Sequence, residues 1–532
     1  MDYNRDLTPY QMVHLLKIKS NGLNGLLVSD GVGVGKTISA GYIIEYCLKV
    51  LKKSCIICCP PVLEQKWIEE LKVRFGIRAY STKKIEDYRT MEEELNHTTN
   101  YIPHAYVLPY STLKNRSLSR LTNVGCVIYD EIHHSRNHET KLYSSLIELS
   151  KISTYRVGLS ATPIHNSLGD LSSAMSLIFP ILERDSWNLI VNELWSRNKV
   201  HFIHPFITKF DKTKLGIHFT KREVIQIETD FNPSFLNSVE LTIDKMGERR
   251  GEELSSFEKS IFLRLASSSP AAFFKSQNRE IPENYEDSKL NRMVNLINEE
   301  GPGRWLIFTE FRATAEVIAN KLHQFQPEII SGDSSISERY LAIDDFHKNE
   351  NGVLIMMPVG CEGLDLQICS RLINYDLHWN PMVIEQRIGR IDRIGQNKES
   401  IQIYNFIVLG SIDHHMISIM KDKLGIVSDT FANIEAMLNS DMESQEYSEI
   451  SDEYLSKNGI DIMSKLSNSL PDTDYRLQGL LSIDICKSDL WPDEISDWDN
   501  LLEVIQNPKA AHITNQIRVD SMELIEIISD YM

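Results

Sequence analysis

The sequence lacks the features that mark membrane, secreted and repeat proteins. No apolar run reaches the ~18 residues of a membrane-spanning helix, so we expect no membrane segment. The first residues, "MDYNRDLTPYQ", contain no apolar stretch of the kind found in signal peptides. This favours the cytoplasm, or the nucleus in a eukaryote. Repeats of solenoid period and low-complexity segments are also missing, which favours ordinary globular domains.

Cysteine is sparse, with eight residues scattered along 532. The run "CIICC" places Cys55 and Cys58 at CxxC spacing, but no second CxxC or histidine pair completes a zinc site. The run is apolar and strand-like. We therefore expect Cys55, Cys58 and Cys59 to be buried strand residues rather than metal ligands.

Positive charge is scarce, and the deficit is concentrated near the C-terminal end. The net charge is −18, and residues 441–532, with 20 Asp and Glu against 6 Lys and Arg, contribute −14 of it. The other residues are nearly neutral, so they can still present a locally basic groove to nucleic acid. The acidic end can cover such a groove, bind a partner protein or form a solvated surface, and all three roles stay open.

Two regions alternate short β-rich runs with helical patterns, which is typical of parallel α/β sheets. The length predicts roughly three domains at ~150 residues each. We expect one α/β lobe at 1–180, a mostly helical insertion or linker at 181–283, a second α/β lobe at 284–425 and a small acidic region at 426–532. The acidic region includes an amphipathic stretch, "VDSMELIEIISDYM", which suits a helix packed on the core or docked on a partner.

The predicted strands are short apolar runs. Those of the first lobe are "GLLVS", "SCIICCP", "AYVLPYS", "CVIYDE" and "YRVGLSAT", and those of the second are "WLIFTEF", "GVLIMMP", "RLINYDL" and "IQIYNFI". In the insertion, "GEELSSFEKSIFLRLASS" has apolar residues at helical spacing.

A glycine-rich loop follows the first predicted strand in "LLVSDGVGVGKTISAGYII", residues 26–44. Gly33 and Gly35 allow backbone N–H groups to approach phosphate oxygens, and the next helix begins there. In this context Lys36 reaches the β and γ phosphates and Thr37 offers a hydroxyl to magnesium. Asp30 replaces the first glycine of the general pattern, so from this stretch alone a glycine-rich turn with a surface lysine is an alternative. The whole candidate loop comprises Asp30, Gly31, Val32, Gly33, Val34, Gly35, Lys36 and Thr37.

An acidic pair ends the hydrophobic strand in "CVIYDEIHH". Asp130 at a strand end can bind magnesium, and Glu131 can orient and polarise the attacking water. Acidic pairs in turns are usually solvated surface features. Here the preceding strand and the upstream loop favour a catalytic pair instead.

An arginine-rich stretch, "EQRIGRIDRIGQ", lies in the second α/β region. Arg390 and Arg393 are three residues apart, so they share a face of a helix. Guanidinium groups there can stabilise charge on a transferring phosphoryl group, whereas the alternative is a basic surface helix. The motifs lie on two lobes, so we expect ATP in a cleft between them, with hydrolysis opening and closing the cleft.

Together these stretches resemble a superfamily-two helicase-type ATPase of the Swi/Snf group, over most of residues 7–410. The resemblance rests on motifs in the family's order: "LTPYQ", "DGVGVGKT", "CCPPVLEQKWIEEL", "YDEIHHSRN" (similar to "DEAHxxKN" and thus to a DEAH box), "LSATPIHNSLGDL", "DSKLNRMVNLI", "CEGLDLQ" and "LHWNPMVIEQRIGRIDRIGQ". The last is the most specific. The form "CEGLDLQ" resembles the bacterial and archaeal branch, which includes RapA and helicase-like subunits of phage-defence systems.

The resemblance implies two RecA-like parallel-sheet lobes that use ATP and Mg²⁺. It implies Gln11 near the adenine, Asp365 near the ribose and Gln386 in the nucleotide site. It also implies that Ser160, Ala161 and Thr162 couple hydrolysis to DNA, and that Pro61, Lys66 and Trp67 lie along nucleic acid.

Two departures from the family pattern concern DNA contact. Met357 stands where the family usually has Ser or Thr, and the basic segment after the third motif is only loosely matched by "ITKFDKTKL". Neither departure touches the residues expected to bind ATP.

The resulting hypothesis is an ATP-dependent translocase on double-stranded DNA, acting through backbone contacts, with other protein subunits bound through the insertion or the acidic region. Two alternatives remain. One is an RNA or single-strand helicase, and the other is an ATP-switched scaffold, for example in a phage-defence complex.

Overall fold

The structure of the protein is a computed structural model. It describes residues 9–31, 33–96, 102–113, 124–161, 168–197, 205–208, 220–230, 256–278, 286–357, 366–378, 381–393 and 396–411, with a few single residues besides. The chain divides into two compact units, one with the described residues up to 208 and one with those from 220 to 411. The acidic region at 426–532 lies outside the described residues except for Met522.

The first unit is built on a seven-stranded parallel sheet with the order β3-β4-β2-β5-β6-β1-β7. Its strands are β1 Gly25–Val28, β2 Ser54–Cys59, β3 Ala79–Ser81, β4 Ala105–Pro109, β5 Val124–Asp130, β6 Ser153–Leu159 and β7 Ile207–Thr208. All five predicted strands of this lobe are confirmed. The predicted end at residue 180 is too early, because β7 pairs with β1.

Helices cover both faces of this sheet, as parallel strands require. They are α1 Pro9–Ser20, α2 Lys36–Lys49, α3 Glu64–Phe75, α4 Ile85–Asn96, α5 Tyr110–Leu113, α6 Lys141–Ile152, α7 Leu168–Ile178 and α8 Arg184–Ser196. Strand β2 shows the two-layer core: Cys55, Ile57 and Cys59 belong to one buried cluster, and Ile56 and Cys58 to the other. The prediction of buried strand cysteines is confirmed.

Three motifs meet at one edge of this sheet. Strands β5, β6 and β1 are neighbours, and Asp130, Leu159 and Val28 lie level with one another in the register. Val28 leads into the glycine-rich loop, Asp130 begins the acidic pair, and Leu159 precedes Ser160. Because the strands are parallel, this is the carboxyl edge, where α/β sheets bind ligands.

The second unit contains a six-stranded parallel sheet with the order β10-β11-β9-β12-β13-β8. Its strands are β8 Lys221–Asp230, β9 Trp305–Phe308, β10 Glu328–Ile330, β11 Val353–Met356, β12 Arg371–Asn374 and β13 Ser400–Leu409. The four predicted strands are confirmed. The assignment of 181–283 to a mostly helical insertion is wrong for β8, which pairs with β13 over its whole length.

The helices of this unit are α9 Ser256–Ser268, α10 Pro270–Ser276, α11 Ser288–Glu299, α12 Arg312–Lys321, α13 Ile336–Lys348 and α14 Pro381–Ile388. Helix α9 confirms the helical periodicity predicted there. No helix in the described part of the chain is long and apolar enough to cross a membrane.

A buried carboxylate, Asp376, ties several of these elements together just after β12. It accepts hydrogen bonds from Ser268 Oγ at 2.8 Å, Thr309 Oγ1 at 2.6 Å and Lys289 Nζ at 3.1 Å. Burial alone would raise the Asp376 pKa, but the Lys289 charge and these hydrogen bonds lower it below its ordinary value. Helices α9 and α11 are thereby fixed to the carboxyl edge of the second sheet.

Candidate active site

The glycine-rich loop lies between β1 and α2. Gly33 and Gly35 have φ values of 82° and 89°, a backbone region that favours glycine. The Lys36 ammonium donates hydrogen bonds to the carbonyl oxygens of Asp30 and Gly31 at 3.0 and 3.3 Å. Helix α2 begins at Lys36 itself, so the positive end of its dipole adjoins the loop. The loop therefore has the backbone form and the charge that bind phosphate groups.

Helix α1 contacts this loop through Gln11 and His14. A Cβ atom on Gly35 would lie 2.8 Å from Gln11 Nε2, so the Gln11 amide lies against the loop backbone. The buried His14 ring places Nδ1 3.0 Å from the Gln11 carbonyl oxygen and Nε2 2.7 Å from Asp30 Oδ2. The ring lies between a carbonyl oxygen and a carboxylate, both of which accept hydrogen bonds from imidazole N–H groups. This contact explains how Asp30 is held where the general loop pattern has glycine.

The acidic pair lies at the C-terminal end of β5, as expected. Asp130 is the last residue of the strand, and Glu131 follows with a φ of 50°, which a non-glycine residue rarely adopts. The Asp130 carboxylate accepts hydrogen bonds from Trp67 Nε1 at 2.7 Å and from the Glu131 N–H at 3.1 Å. The Tyr110 hydroxyl donates to the Asp130 carbonyl oxygen at 2.7 Å. These contacts hold the Asp130 side chain in one orientation.

The structure corrects the expectation that Trp67 lies along nucleic acid. Its side chain is 1% exposed, and its polar edge is bonded to Asp130. Pro61 begins a short 3-10 turn before α3 and Lys66 lies on α3, and both are partly exposed. Sequence reasoning missed the Trp67–Asp130 contact, because partners 63 residues apart leave no local pattern.

The surroundings of Asp130 raise the pKa of its carboxyl group towards neutral pH. Its pKa is raised to about 7, first by burial and then by the charge of Glu131, while the Trp67 hydrogen bond and the charges of Lys66 and Lys36 act in the opposite direction. Carboxyl groups perturbed in this way are concentrated at functional sites. A divalent cation bound beside Asp130 would favour its ionised form.

We expect Asp130→Asn to stabilise the protein relative to the wild type at about pH 8 but much less at about pH 4.5, without magnesium or nucleotide. The folded-state pKa of about 7 lies above the ordinary value of 3.8. The stabilising effect of the protonated carboxyl is therefore complete below pH 3.8 and is lost as the pH rises through 7. Asparagine does not ionise and keeps an oxygen for Trp67 Nε1. Melting temperatures of both proteins across this pH range measure the difference.

Asp87→Asn, at an exposed position of α4, is the matched control for this experiment. We expect its melting temperature to stay close to that of the wild type, because substitutions at exposed positions change stability little. A difference between Asp130→Asn and the wild type that stays constant over the whole pH range would contradict the assigned shift.

Polar contacts join Glu131 to the segment after β6. His133 Nδ1 lies 3.4 Å from Glu131 Oε2 and 3.3 Å from Ser160 Oγ. Ser160 is buried, and its backbone N–H donates to the Val28 carbonyl oxygen at 3.0 Å. Ala161 follows and is also buried. The acidic pair, the Ser160 segment and the strand before the loop are therefore in direct contact, and His133 is a link that sequence reasoning did not single out.

The arginine stretch lies in the second unit, at the end of α14 and just beyond it. Helix α14 ends at Ile388, so Arg390 and Arg393 lie in the turn after it, and the expectation that they share a helix face is wrong. Arg390 is 5% exposed, and among the described residues its Nε has no hydrogen-bond acceptor. Arg393 donates to the carbonyl oxygens of Gly389 and Leu364, each at 2.8 Å. Gln386 lies on α14 and is partly exposed. The stretch is thus anchored inside the unit, and Arg390 keeps a donor for a further partner.

The structure gives fewer contacts for the remaining predicted site residues. Val34 is 1% exposed, and Thr37, the second residue of α2, is partly exposed. Val32, Thr162 and Asp365 lie outside the described residues, so their roles stay predictions.

Two family models match the chain, one in each unit. The SNF2-related domain matches residues 11–196, and the helicase conserved C-terminal domain matches residues 288–395. The chain belongs to the Swi/Snf group of superfamily-two ATPases. The first match encloses the glycine-rich loop and the acidic pair, and the second encloses the arginine stretch, so each part of the expected ATPase site lies within a matched region.

Relatives of this family align with most of the chain at low identity. The uncharacterized ATP-dependent helicase YqhH of Bacillus subtilis is 26% identical over 484 residues, covering 81% of this chain and 80% of that protein. The RNA polymerase-associated protein RapA of Haemophilus influenzae is 26% identical over 419 residues, covering 75% of this chain but 44% of its own length. The DNA repair and recombination protein RAD54 of Saccharomyces cerevisiae is 23% identical over 510 residues, covering 79% of this chain and 55% of that protein.

Among solved structures, the chain aligns with the Sulfolobus solfataricus SWI2/SNF2 ATPase core in complex with dsDNA. The two are 21% identical, the alignment covers 82% of this chain and 95% of the other, and the TM-score is 0.36.

Proposed function

We propose that this Swi/Snf-type ATPase is a translocase that moves along double-stranded DNA through contacts to the backbone, without reading base sequence. The observation that carries the proposal is the meeting of three motifs at the carboxyl edge of the first sheet. Lys36 follows β1, Asp130 and Glu131 end β5, and Ser160 follows β6. Nucleotide hydrolysis and its coupling to motion require these groups to be close together.

In the proposed reaction, Lys36 and the loop N–H groups bind the phosphates, and Glu131 orients the attacking water. The Thr37 hydroxyl and the Asp130 carboxylate would hold Mg²⁺, since hard oxygen donors are the ligands this ion prefers. Magnesium supplies charge neutralisation on the phosphates. The Trp67 hydrogen bond to Asp130 keeps that carboxylate oriented for this role.

The remaining nucleotide contacts are proposed from the same motifs. Gln11, whose amide lies against the loop, would contact the adenine, and Asp365 and Gln386 would contact the rest of the nucleotide. Arg390 and Arg393 would stabilise charge on the transferring phosphoryl group. Ser160 and Ala161, with Thr162, would transmit the reaction to DNA, because Ser160 touches the His133 ring beside Glu131.

The DNA substrate is proposed from the names of the relatives, which include a DNA repair and recombination protein and probable ATP-dependent DNA helicases. Protein partners are proposed to bind through the segment at 181–283, outside strands β7 and β8, or through the acidic region at 426–532. Partners bound there would determine the cellular pathway in which the ATPase acts. We propose phage defence as that pathway. Loss of protection against phage on deletion of the gene would support it, and unchanged protection would exclude it.

Steady-state ATP hydrolysis with no nucleic acid, duplex DNA, single-stranded DNA and RNA tests the proposal directly. We expect stimulation by duplex DNA, and a loss of at least ~10²-fold in kcat for Lys36→Ala, because the phosphate-facing ammonium is removed. Lys49→Ala, a mostly exposed lysine on the same helix, is the matched control and should keep the wild-type rate.

Other outcomes of this assay would indicate a different function. Stimulation by single strands or RNA, with strand displacement, would indicate a helicase instead of a translocase. Negligible turnover with every nucleic acid, together with tight ATP binding, would indicate an ATP-switched scaffold.

A further inference from the structure

Strand β8 carries an arginine whose partners lie outside its sheet. The strand is at the edge of the second sheet and pairs with β13 from Lys221 to Asp230. It is also the first described strand of the second unit along the chain. Arg222, its second residue, points its guanidinium at two carboxylates of the arginine stretch. An edge strand outside the recognised motifs therefore contacts the segment that contains Arg390 and Arg393.

The Arg222 guanidinium is bonded to the Glu385 and Asp392 carboxylates together, and we call this set of contacts the fork. Arg222 donates through its two terminal nitrogens to Glu385 Oε1 and Oε2 at 2.7 and 3.2 Å, and through Nε to Asp392 Oδ2 at 2.8 Å. The side chains of Arg222, Glu385 and Asp392 are 14%, 17% and 2% exposed. Bidentate guanidinium–carboxylate contacts of low exposure fix direction as well as distance, which a lysine ammonium does not. The fork is therefore suited to hold its partners in one geometry.

The two carboxylates belong to the same stretch as the candidate catalytic arginines. Glu385 precedes Gln386 on α14, and Asp392 lies between Arg390 and Arg393. A second element holds the same stretch, because the Arg390 carbonyl oxygen accepts from the Leu366 N–H at 3.0 Å. The stretch is thus fixed both by the segment before β12 and by the edge strand.

We propose that Arg222 is a positioning residue that holds Arg390 and Arg393 in their working geometry through Glu385 and Asp392. The inference rests on the proposed role of the two arginines in hydrolysis. Misplacing a catalytic group by about 1 Å can cost ~10²-fold in rate, without any change in the residues that bind the ground-state nucleotide. Loss of the fork should therefore lower kcat, while the binding groups on the first unit stay intact.

The test compares Arg222→Met, which keeps the stem and removes the fork, with Lys221→Met, a neighbouring exposed residue of the same strand. With saturating duplex DNA, we expect Arg222→Met to lower kcat ~10²-fold with KM for ATP within about twofold. Lys221→Met should match the wild type. Arg222→Lys keeps the charge but not the bidentate geometry, and we expect it to recover only part of the lost rate.

A double-mutant cycle with Glu385→Gln shows whether Arg222 acts through its partner. We expect Arg222→Met to lower kcat much less in the Glu385→Gln background than in the wild type, because the shared contact is already broken. Equal fold losses in both backgrounds would overturn the inference. The inference would also be overturned if Arg222→Met melts at a lower temperature but keeps the wild-type kcat while it is folded. That result is what a purely structural contact would give.

Hydrogen exchange on the full chain separates failure of this inference from failure of the proposed function. In Arg222→Met, or in Arg222→Lys if the methionine variant does not fold, we expect faster exchange in peptides spanning 385–396. Unchanged exchange there would overturn the inference even if the wild type is an active DNA-stimulated ATPase. If nucleic acid does not stimulate ATP hydrolysis by the wild type, the proposed function is overturned. Faster exchange in the variant would then still support the positioning contact.

Discussion

Replacing Glu131 with glutamine is expected to lower kcat for ATP hydrolysis by ~10³-fold while ATP still binds. General-base groups of this kind contribute ~10²–10⁴ in rate. Glutamine has the same shape as glutamate but takes up no proton from the attacking water. The glycine-rich loop, which we propose binds the nucleotide, is separate in sequence and should be unaffected. Phosphate release measures kcat, and a fluorescent ATP analogue measures the dissociation constant.

The position of Glu131 supports this expectation. Its φ of 50° costs free energy and places the side chain directly after the carboxyl edge of β5. Glutamine at this site has the same backbone requirement, so the variant should fold as the wild type does. Glu139→Gln, at an exposed turn position nearby, is the matched control and should keep the wild-type kcat.

The contrary results of this experiment are informative. If Glu131→Gln keeps kcat within about twofold, Glu131 is not the general base. His133, whose Nδ1 lies 3.4 Å from Glu131 Oε2, is then the nearest alternative, and His133→Gln should carry the loss. If the dissociation constant for ATP rises in step with the loss of rate, Glu131 contributes to nucleotide binding instead.

The fold was largely predictable because most strands of four or more residues in the two sheets are rich in apolar residues. The strands that were missed have physical reasons. Strands β3, β7 and β10 contain two or three residues each, too few for any period. Strand β8 is ten residues long, but eight of its side chains are partly or fully exposed, and it lies in a segment of mixed charge. Its place beside β13 depends on pairing across about 180 residues, which no local pattern reports.

The candidate site also contains residues that local sequence predicts and residues that it does not predict. Residues whose chemistry depends on local spacing, such as Gly35, Lys36 and Asp130, are where the motifs predicted them. The contacts that hold them come from distant segments. Trp67, expected beside nucleic acid, is bonded instead to Asp130, and the Arg222 fork spans 163 residues to Glu385. Such partners become visible only once the strands are aligned in a sheet.

Replacing Arg390 with lysine is expected to cause the second large loss, ~10³-fold or more in kcat, because arginine fingers contribute ~10³–10⁵ to phosphoryl transfer. Lysine keeps the charge but loses the planar fork that matches phosphate geometry. The side chain is almost buried, and its Nε has no acceptor among the residues that the structure describes. A donor placed in this way is suited to a partner that arrives from elsewhere. Single-turnover hydrolysis with duplex DNA measures the loss.

Arg387, one helical turn earlier, provides the contrast that makes this prediction specific. It donates to Asn374 Oδ1 at 3.3 Å and to the Asp376 carbonyl oxygen at 2.6 Å, and it is paired with Glu310. Its Nε, like that of Arg390, has no acceptor among the described residues, but both of its terminal nitrogens are bonded inside the unit. Arg387→Lys should therefore lower the melting temperature more than Arg390→Lys does, because breaking buried charged contacts destabilises the fold.

An exposed arginine of the same unit completes the comparison. Arg312 is 62% exposed, and Arg312→Lys should change neither kcat nor melting temperature. A wild-type rate in Arg390→Lys would exclude Arg390 as the phosphoryl-stabilising group and leave Arg393 to be tested in its place. A loss of rate that only mirrors a lower melting temperature would show that Arg390, like Arg387, serves the fold. A loss of rate at unchanged melting temperature and unchanged ATP affinity is what a group that acts in the transition state requires.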